Sequence, residues 1–141
     1  MGKIKQLFAK LSKITEASQD KAILGMVKDT EGELVALNKE QLFHSEDSEQ
    51  EPLGEYASIS YANLKGRATV DLKLTGDFYG GFFVTTQKFP VVFSSTDKKT
   101  ENLEERYGEN IFGVTAPNLK FYTKVILLGK VQSFFRALLH I

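Results

Sequence analysis

Two histidines, a run of acids and a pair of glycines among aromatics are the residues here whose types and spacing could do chemistry. His44 and His140 are the only imidazoles. They stand far apart and neither sits in an HxH or HxxxH spacing, so neither marks a metal site or an acid–base pair. Residues 45–51, SEDSEQE, hold four carboxylates. They lack the D-x-[DN]-x-[DN]-G order and the closing Glu that wrap calcium, so the run reads as a solvated loop. The chain has no Cys, which removes disulfides and thiolate metal ligands. No GxxxxGK[ST] or GxGxxG loop is present to cradle phosphate, and no GxSxG elbow to raise a serine nucleophile. Nothing singles out a carboxylate pair for glycosidic work. The expectation is a non-enzymatic protein with no catalytic residue, no cofactor and no metal ligand.

The stretch VDLKLTGDFYGGFFV, residues 70–84, is the most distinctive in the chain. One acid and two glycines do not make an anion cradle, so it reads as a turn. Thr75 is placed to cap a short helical turn, Gly76 to take an unusual φ, and Asp77 to favour the first turn. Phe78, Tyr79, Phe82 and Phe83 then fill the region of a sheet. Thr75, Gly76, Asp77, Phe78 and Tyr79 are thus a structural motif. The eleven Phe and five Tyr fall on strand and helix faces and read as core rather than base-stacking platforms.

The elements that position these residues follow from periodicity. Ile4, Leu7, Phe8, Leu11 and Ile14 share one helical face, with Lys3, Lys5, Lys10 and Lys13 around it. A basic amphipathic helix can lie on a membrane or a nucleic acid, but packing on the domain or on a neighbouring subunit is commoner. Ser18 could cap a second helix that ends near Gly32, and Asn38 a third over NKEQLFH. An acidic loop with Pro52 and Gly54 follows, then a short helix over ASISYANLKG that Gly66 ends. From Ala68 the period becomes two: Val70, Leu72 and Leu74 point one way, Thr69, Asp71 and Lys73 the other. That predicts a half-buried strand. Two more are expected over GFFVTTQ and FPVVFSS, with Pro90 at a strand start or an edge. A helix over TDKKTENLEERYGE should turn Leu103 and Tyr107 inward and stop at Gly108. Thr115 and Pro117 open a last helix, with a bend or break expected at Gly129. That helix is apolar on more than one face, and Phe134, Phe135, Leu138 and Leu139 form a candidate contact patch with another chain, as do Lys3, Lys5, Lys10 and Lys13 at the other end.

The fold class expected is α+β, a small antiparallel sheet flanked by N-terminal and C-terminal helices. The 141 residues read as a single domain, helical over 1–45, loop and short helix over 46–67, strands over 68–95 and helical over 96–141. Eighteen basic and eighteen acidic side chains cancel, which argues against a bulk polyanion partner. No apolar run reaches the roughly 18 residues that span a bilayer, so no membrane partner is expected. The N-terminus lacks the apolar stretch of a signal peptide, and Gln6 stands where myristoylation wants Ser or Thr. The charge is nevertheless uneven: residues 1–30 carry six Lys and three acids, residues 31–60 eight acids and one Lys. These are two solvated surfaces, or complementary faces of neighbouring copies or partners.

Residues 47–65 read D-S-E-Q-E-P-L-G-E-Y-A-S-I-S-Y-A-N-L-K and lead through a basic spacer into the stretch 70–84. With ALNKEQLFHSEDS before them and SSTDKKTENLEERYGENIFGVT after, they resemble phage virion-morphogenesis proteins. The type is the tail-completion or head–tail connector protein related to the Mu-like family, in tailed phages of Bacteroidetes including crAss-like phages. Pro52, Leu53, Tyr61, Lys65, Leu72, Thr75, Gly76 and Phe78 are the matching positions, in the middle half of the chain. The chain departs where Glu49 and Gln50 replace a common Gly, and where Asp77-Phe78 replaces Arg-Leu. The resemblance implies a ring-forming neck or tail subunit of the virion, assembled in the bacterial host cytoplasm and joining portal or adaptor to tail. Its partners would be other copies of itself and those virion proteins. The alternative is a phage-encoded binding module that meets nucleic acid or another protein through the basic N-terminal helix.

Overall fold

The computed structural model of the chain describes Lys5, residues 16–73 and residues 75–139. Lys5 is helical and exposed; the rest of the expected first helix, with Lys3, Lys10 and Lys13, lies outside the described residues, as do Leu74 and His140. The architecture is α+β: one two-stranded antiparallel sheet, with helices before and after it in the chain.

Helices α1 (Glu16–Asp29) and α2 (Glu31–Phe43) meet at the single residue Thr30. Ser18 lies inside α1 and Gly32 inside α2, so the expected boundary near Gly32 falls earlier. The break falls at Thr30, whose φ of −111° and ψ of 18° leave the helical region while its hydroxyl donates to the Met26 carbonyl at 2.8 Å. Helix α2 buries Leu34, Val35, Asn38, Gln41 and Leu42, the i, i+1, i+4, i+7, i+8 stripe of a core-facing helix. Asn38 therefore caps nothing. It sits in the middle of α2, fully buried, because its amide has distant backbone partners.

The acidic loop is only partly solvated. Asp47 is buried, and its Oδ1 accepts from the Glu49 and Glu51 amides, both at 2.9 Å. Gln50 takes a left-handed φ of 63°. Helix α3 (Ile59–Lys65) has both expected ends: Ser58 Oγ accepts from the Tyr61 amide at 3.1 Å, and Gly66 closes it at φ 74°.

The strand expected from Ala68 does not form. Its backbone is tied by single hydrogen bonds, Tyr56 N–H to Ala68 O and Val70 N–H to Gly54 O, with one isolated bridge, Glu55 to Thr69. Leu72 then takes φ 59° and breaks the extension. Val70 and Leu72 are buried as the alternation predicts, but so is Asp71 between them. A period of two cannot hold when the alternate residue also has an inward partner.

Helix α4 (Asp77–Gly80) leads into β1 (Phe82–Thr85), which pairs with β2 (Val92–Ser95) in the register Phe82↔Ser95, Phe83↔Ser94, Val84↔Phe93, Thr85↔Val92. Pro90 precedes β2, as its missing N–H requires. A Cβ on Gly81 would meet Ser95 Oγ at 2.6 Å, which explains a glycine before β1. The other side of β1 is closed by a side chain, with the Val84 amide donating to Glu31 Oε1 at 2.7 Å. Helix α5 (Thr100–Tyr107) stops at Gly108 with Leu103 and Tyr107 partly buried, as expected. A 3-10 turn (Glu109–Ile111) follows. Thr115 Oγ1 accepts from the Asn118 amide at 3.3 Å to open α6 (Ala116–Phe121). A π-helical turn (Tyr122–Leu127) joins α6 to α7 (Leu128–Leu139) without interruption, and Gly129 neither breaks nor ends it.

Two apolar clusters result. Val27, Leu34, Val35, Val84 and Tyr122 bind α1, α2, β1 and the π turn. Leu42, Val70, Leu72, Phe78 and Ile111 bind α2 to the 68–73 segment, α4 and the 3-10 turn. Phe82 touches both, its ring edge-on to Phe78 at 4.9 Å.

Candidate functional site

The TGDFY turn is a backbone device. Gly76, at φ 90°, caps α4; Thr75, the expected cap, instead donates from Oγ1 to Asp77 Oδ2 at 2.9 Å. The same Thr75 oxygen also accepts from the Asp77 amide at 3.4 Å. Phe78 is buried, and its carbonyl accepts from Ser95 Oγ at 2.8 Å, which ties the turn to β2. Tyr79 donates its hydroxyl to the Asp71 carbonyl. Phe82 is half-buried, whereas Phe83 points outward and is exposed, so it fills no core. No atom lies within 4 Å of a Cβ added to Gly76. Gly76→Val therefore tests backbone conformation alone and should cost about 1–2 kcal/mol. Thermal denaturation reads it; an unchanged melting temperature removes the need for glycine there.

Asp71 is the hub of the largest polar cluster. Only 3% exposed, it accepts at Oδ1 from Lys65 Nζ (2.9 Å), Tyr56 OH (2.9 Å) and the Lys73 amide (3.0 Å). Arg67 Nη1 reaches Oδ2 at 3.4 Å while its guanidinium lies 4.9 Å from the centre of the Phe43 ring. Burial opposes the charge on Asp71, but the Lys65 hydrogen bond, the Lys73 amide and Tyr56 outweigh it and hold the carboxyl below its usual range. Burial likewise opposes charge on Lys65, and the bond to Asp71 overcomes it and raises the ammonium. Burial, then the Asp71 charge, pushes the Tyr79 phenol up. None of these shifts moves a group toward neutrality, which is where an acid–base catalyst is useful. The cluster is a clamp that fixes α3 and the 68–73 segment to each other. Alternation assigned Asp71 to solvent; the cations at 65 and 67, flanking the glycine that ends α3, are the sequence signal for its inward turn.

Thr30 and Tyr122 form a second junction that sequence reasoning missed. Their hydroxyls share a 2.6 Å hydrogen bond that joins α1 and α2 to the π turn, and burial raises the Tyr122 phenol.

The outer surfaces carry the remaining candidates. Phe134, Phe135, Leu138 and Leu139 are half-buried on α7, the two Phe rings edge-on at 5.4 Å. Four more apolar side chains before them are exposed, Leu119, Phe121, Val125 and Leu128, with Val125 63% exposed. From residue 110 onward the chain has four cations and no acid. All four, Lys120, Lys124, Lys130 and Arg136, are exposed. A second surface has the opposite character. Glu49, Glu51 and Glu55 are exposed in the chain before α3, and on α3 Ile59 and Leu64 are 79% and 83% exposed. The nearby cations Lys65 and Arg67 are committed to Asp71.

His44 is exposed, 4.0 Å from Glu40. Among the described residues no group of three or more His, Cys, Asp or Glu could hold a metal, and no helix is long and apolar enough to cross a membrane. No protein-family model matches the chain, no curated protein is significantly similar to it, and no solved structure matches it.

Proposed function

We propose that the protein is a non-enzymatic structural subunit that assembles with copies of itself, as a neck or tail ring subunit of a tailed-phage virion joining portal or adaptor to tail. The observation that carries the assembly is the pair of exposed surfaces of opposite charge, each with large uncovered apolar side chains. Large apolar side chains left exposed among polar groups are available to an interaction site. A contact between unlike faces of identical copies is heterologous and closes into a ring when its rotation closes. Apolar burial then supplies most of the affinity and charge supplies the register. The virion assignment rests on the resemblance of residues 36–115. The left-handed φ of Gln50 supports it, because the acidic turn has a glycine-favouring conformation where that family commonly has Gly.

Light scattering across protein concentration and salt tests the reading. The expected result is a discrete higher oligomer that weakens with salt and is lost in Val125→Glu, which puts a charge at the most exposed apolar side chain of residues 116–139. A protomer mass at every concentration overturns the assembly. A salt-steep nucleic-acid titration in its place would move the protein to the binding-module reading.

A further inference from the structure

We propose that a tyrosine-walled slot between α3 and α5 binds a small aromatic carboxylate. The inference stands apart from the assembly reading. The slot has a volume of about 290 Å³. Val70 and Leu72, both buried, form its floor. Tyr56 and Tyr61 wall one side, their rings edge-on at 5.0 Å and 80°, and Leu103 and Tyr107 wall the other. A third ring entering this space meets aromatic faces and edges on both sides, the arrangement that favours a flat π system.

The polar groups decide the class. Arg106 is the one charged residue that lines the slot. It is exposed and on the solvent side, its guanidinium 5.5 Å from the centre of the Tyr107 ring, and it makes no ion pair with a described residue. No carboxylate lines the slot, and the adjacent Asp71 is already paired to Lys65 and Arg67. The Tyr61 and Tyr107 hydroxyls have no hydrogen-bond partner among the described residues. One planar cation and two hydroxyl donors around an aromatic slot complement a single carboxylate on a ring. A phosphate dianion fits worse, because Arg106 is the one cation lining the slot and would leave the second charge uncompensated. The volume lies at the small end of ligand pockets, about 300–1,000 Å³, which admits a one- or two-ring body and excludes a nucleotide.

The test is an amide NMR titration of the full chain with 1-naphthoate and with its neutral isostere, 1-naphthamide. The expected result is shifts confined to residues 56–61, 70–72 and 103–107, with the acid binding about tenfold more tightly than the amide, the scale of one charge-assisted hydrogen bond. Arg106→Gln should bring the two ligands to equal, weak affinity. Leu103→Trp should fill the slot and abolish both; Ala57→Trp, at an exposed position on the rim, does the same should the first variant fail to fold. Equal binding of acid and amide to the wild type, shifts elsewhere, no shifts, or binding that survives a filled slot each overturn the proposal.

Discussion

Asp71→Asn is expected to lower folding stability by about 2–4 kcal/mol, near the cost of breaking a buried ion pair, reduced because Lys65 and Arg67 keep some contact with water. Asn preserves the shape but removes the charge that both cations face, and with its oxygen kept toward the Lys65, Tyr56 and Lys73 donors it sets its new NH2 group against Arg67. The pH profile separates this from a simple packing loss. The folded pKa of Asp71 is lowered, so its contribution is fully present above the unfolded value of about 4 and is lost as pH falls through the folded value. The folded pKa of Lys65 is raised, so its contribution is fully present below about 10.4 and is lost as pH rises through the folded value. Urea denaturation at a series of pH values should show wild-type stability falling in acid and again in strong base. The variant should be flatter in both windows. A variant that matches the wild type at pH 7 and parallels it in acid would remove Asp71 as the clamp.

Asn38→Leu should cost about 3 kcal/mol or more, although leucine shares the γ-branched shape and suits a buried helix face. Asn38 is fully buried. Its Nδ2 donates to the Ile111 carbonyl at 2.9 Å, and its Oδ1 accepts from the Gly113 amide at 2.9 Å. One turn along, Gln41 Nε2 donates to the Gly113 carbonyl at 2.9 Å and Oε1 accepts from the Thr115 amide at 2.8 Å. These two amides hold the backbone of 111–115 against α2, as a neighbouring strand would. Leucine leaves one carbonyl and one N–H buried without partners, each costing about 1–3 kcal/mol. Thermal denaturation reads the loss. Hydrogen exchange places it, because the Gly113 amide should exchange faster while amides in α3 change by no more than the global stability requires. Stability within about 0.5 kcal/mol of wild type would mean that the 111–115 backbone is held by its apolar contacts alone.

Both residues were assigned wrongly from sequence, and for a shared reason. Asn38 is a good cap residue before NKEQLFH, and Asp71 alternates with Val70 and Leu72 as a solvent-facing strand residue would. Each signal is local, and each was overridden by partners that one dimension does not place together. The Ile111 carbonyl is 73 residues from Asn38, and the Tyr56 hydroxyl is 15 residues from Asp71. The Thr30–Tyr122 hydrogen bond spans 92 residues, so nothing near Thr30 announces that its hydroxyl will serve the C-terminal helix. On the surface, apolar content in the last helix is legible, but its division into a half-buried part, with Phe134 and Phe135, and exposed positions at Leu119, Phe121, Val125 and Leu128 depends on the packing of α1 against it and on a π turn that shifts the helical face.

The α+β class and those element ends that are set within about four residues follow from the order of residues alone. Ser58 and Gly66 bound α3, Thr115 opens α6, Gly108 stops α5 and Gly76 carries the positive φ of the turn. Strands β1 and β2 belong with these, since an apolar run beside a turn signal needs only its neighbour to pair. Caps, left-handed glycines and short hairpins are decided by nearest-neighbour sterics and hydrogen bonds, which the order of residues states directly. Only the tertiary structure decided where Asp71, Asn38, Gln41 and Thr30 point, and therefore that residues 68–73 form a clamped segment and not a third strand. A buried polar group goes wherever its hydrogen bonds can be satisfied, and those partners come together only when distant elements pack.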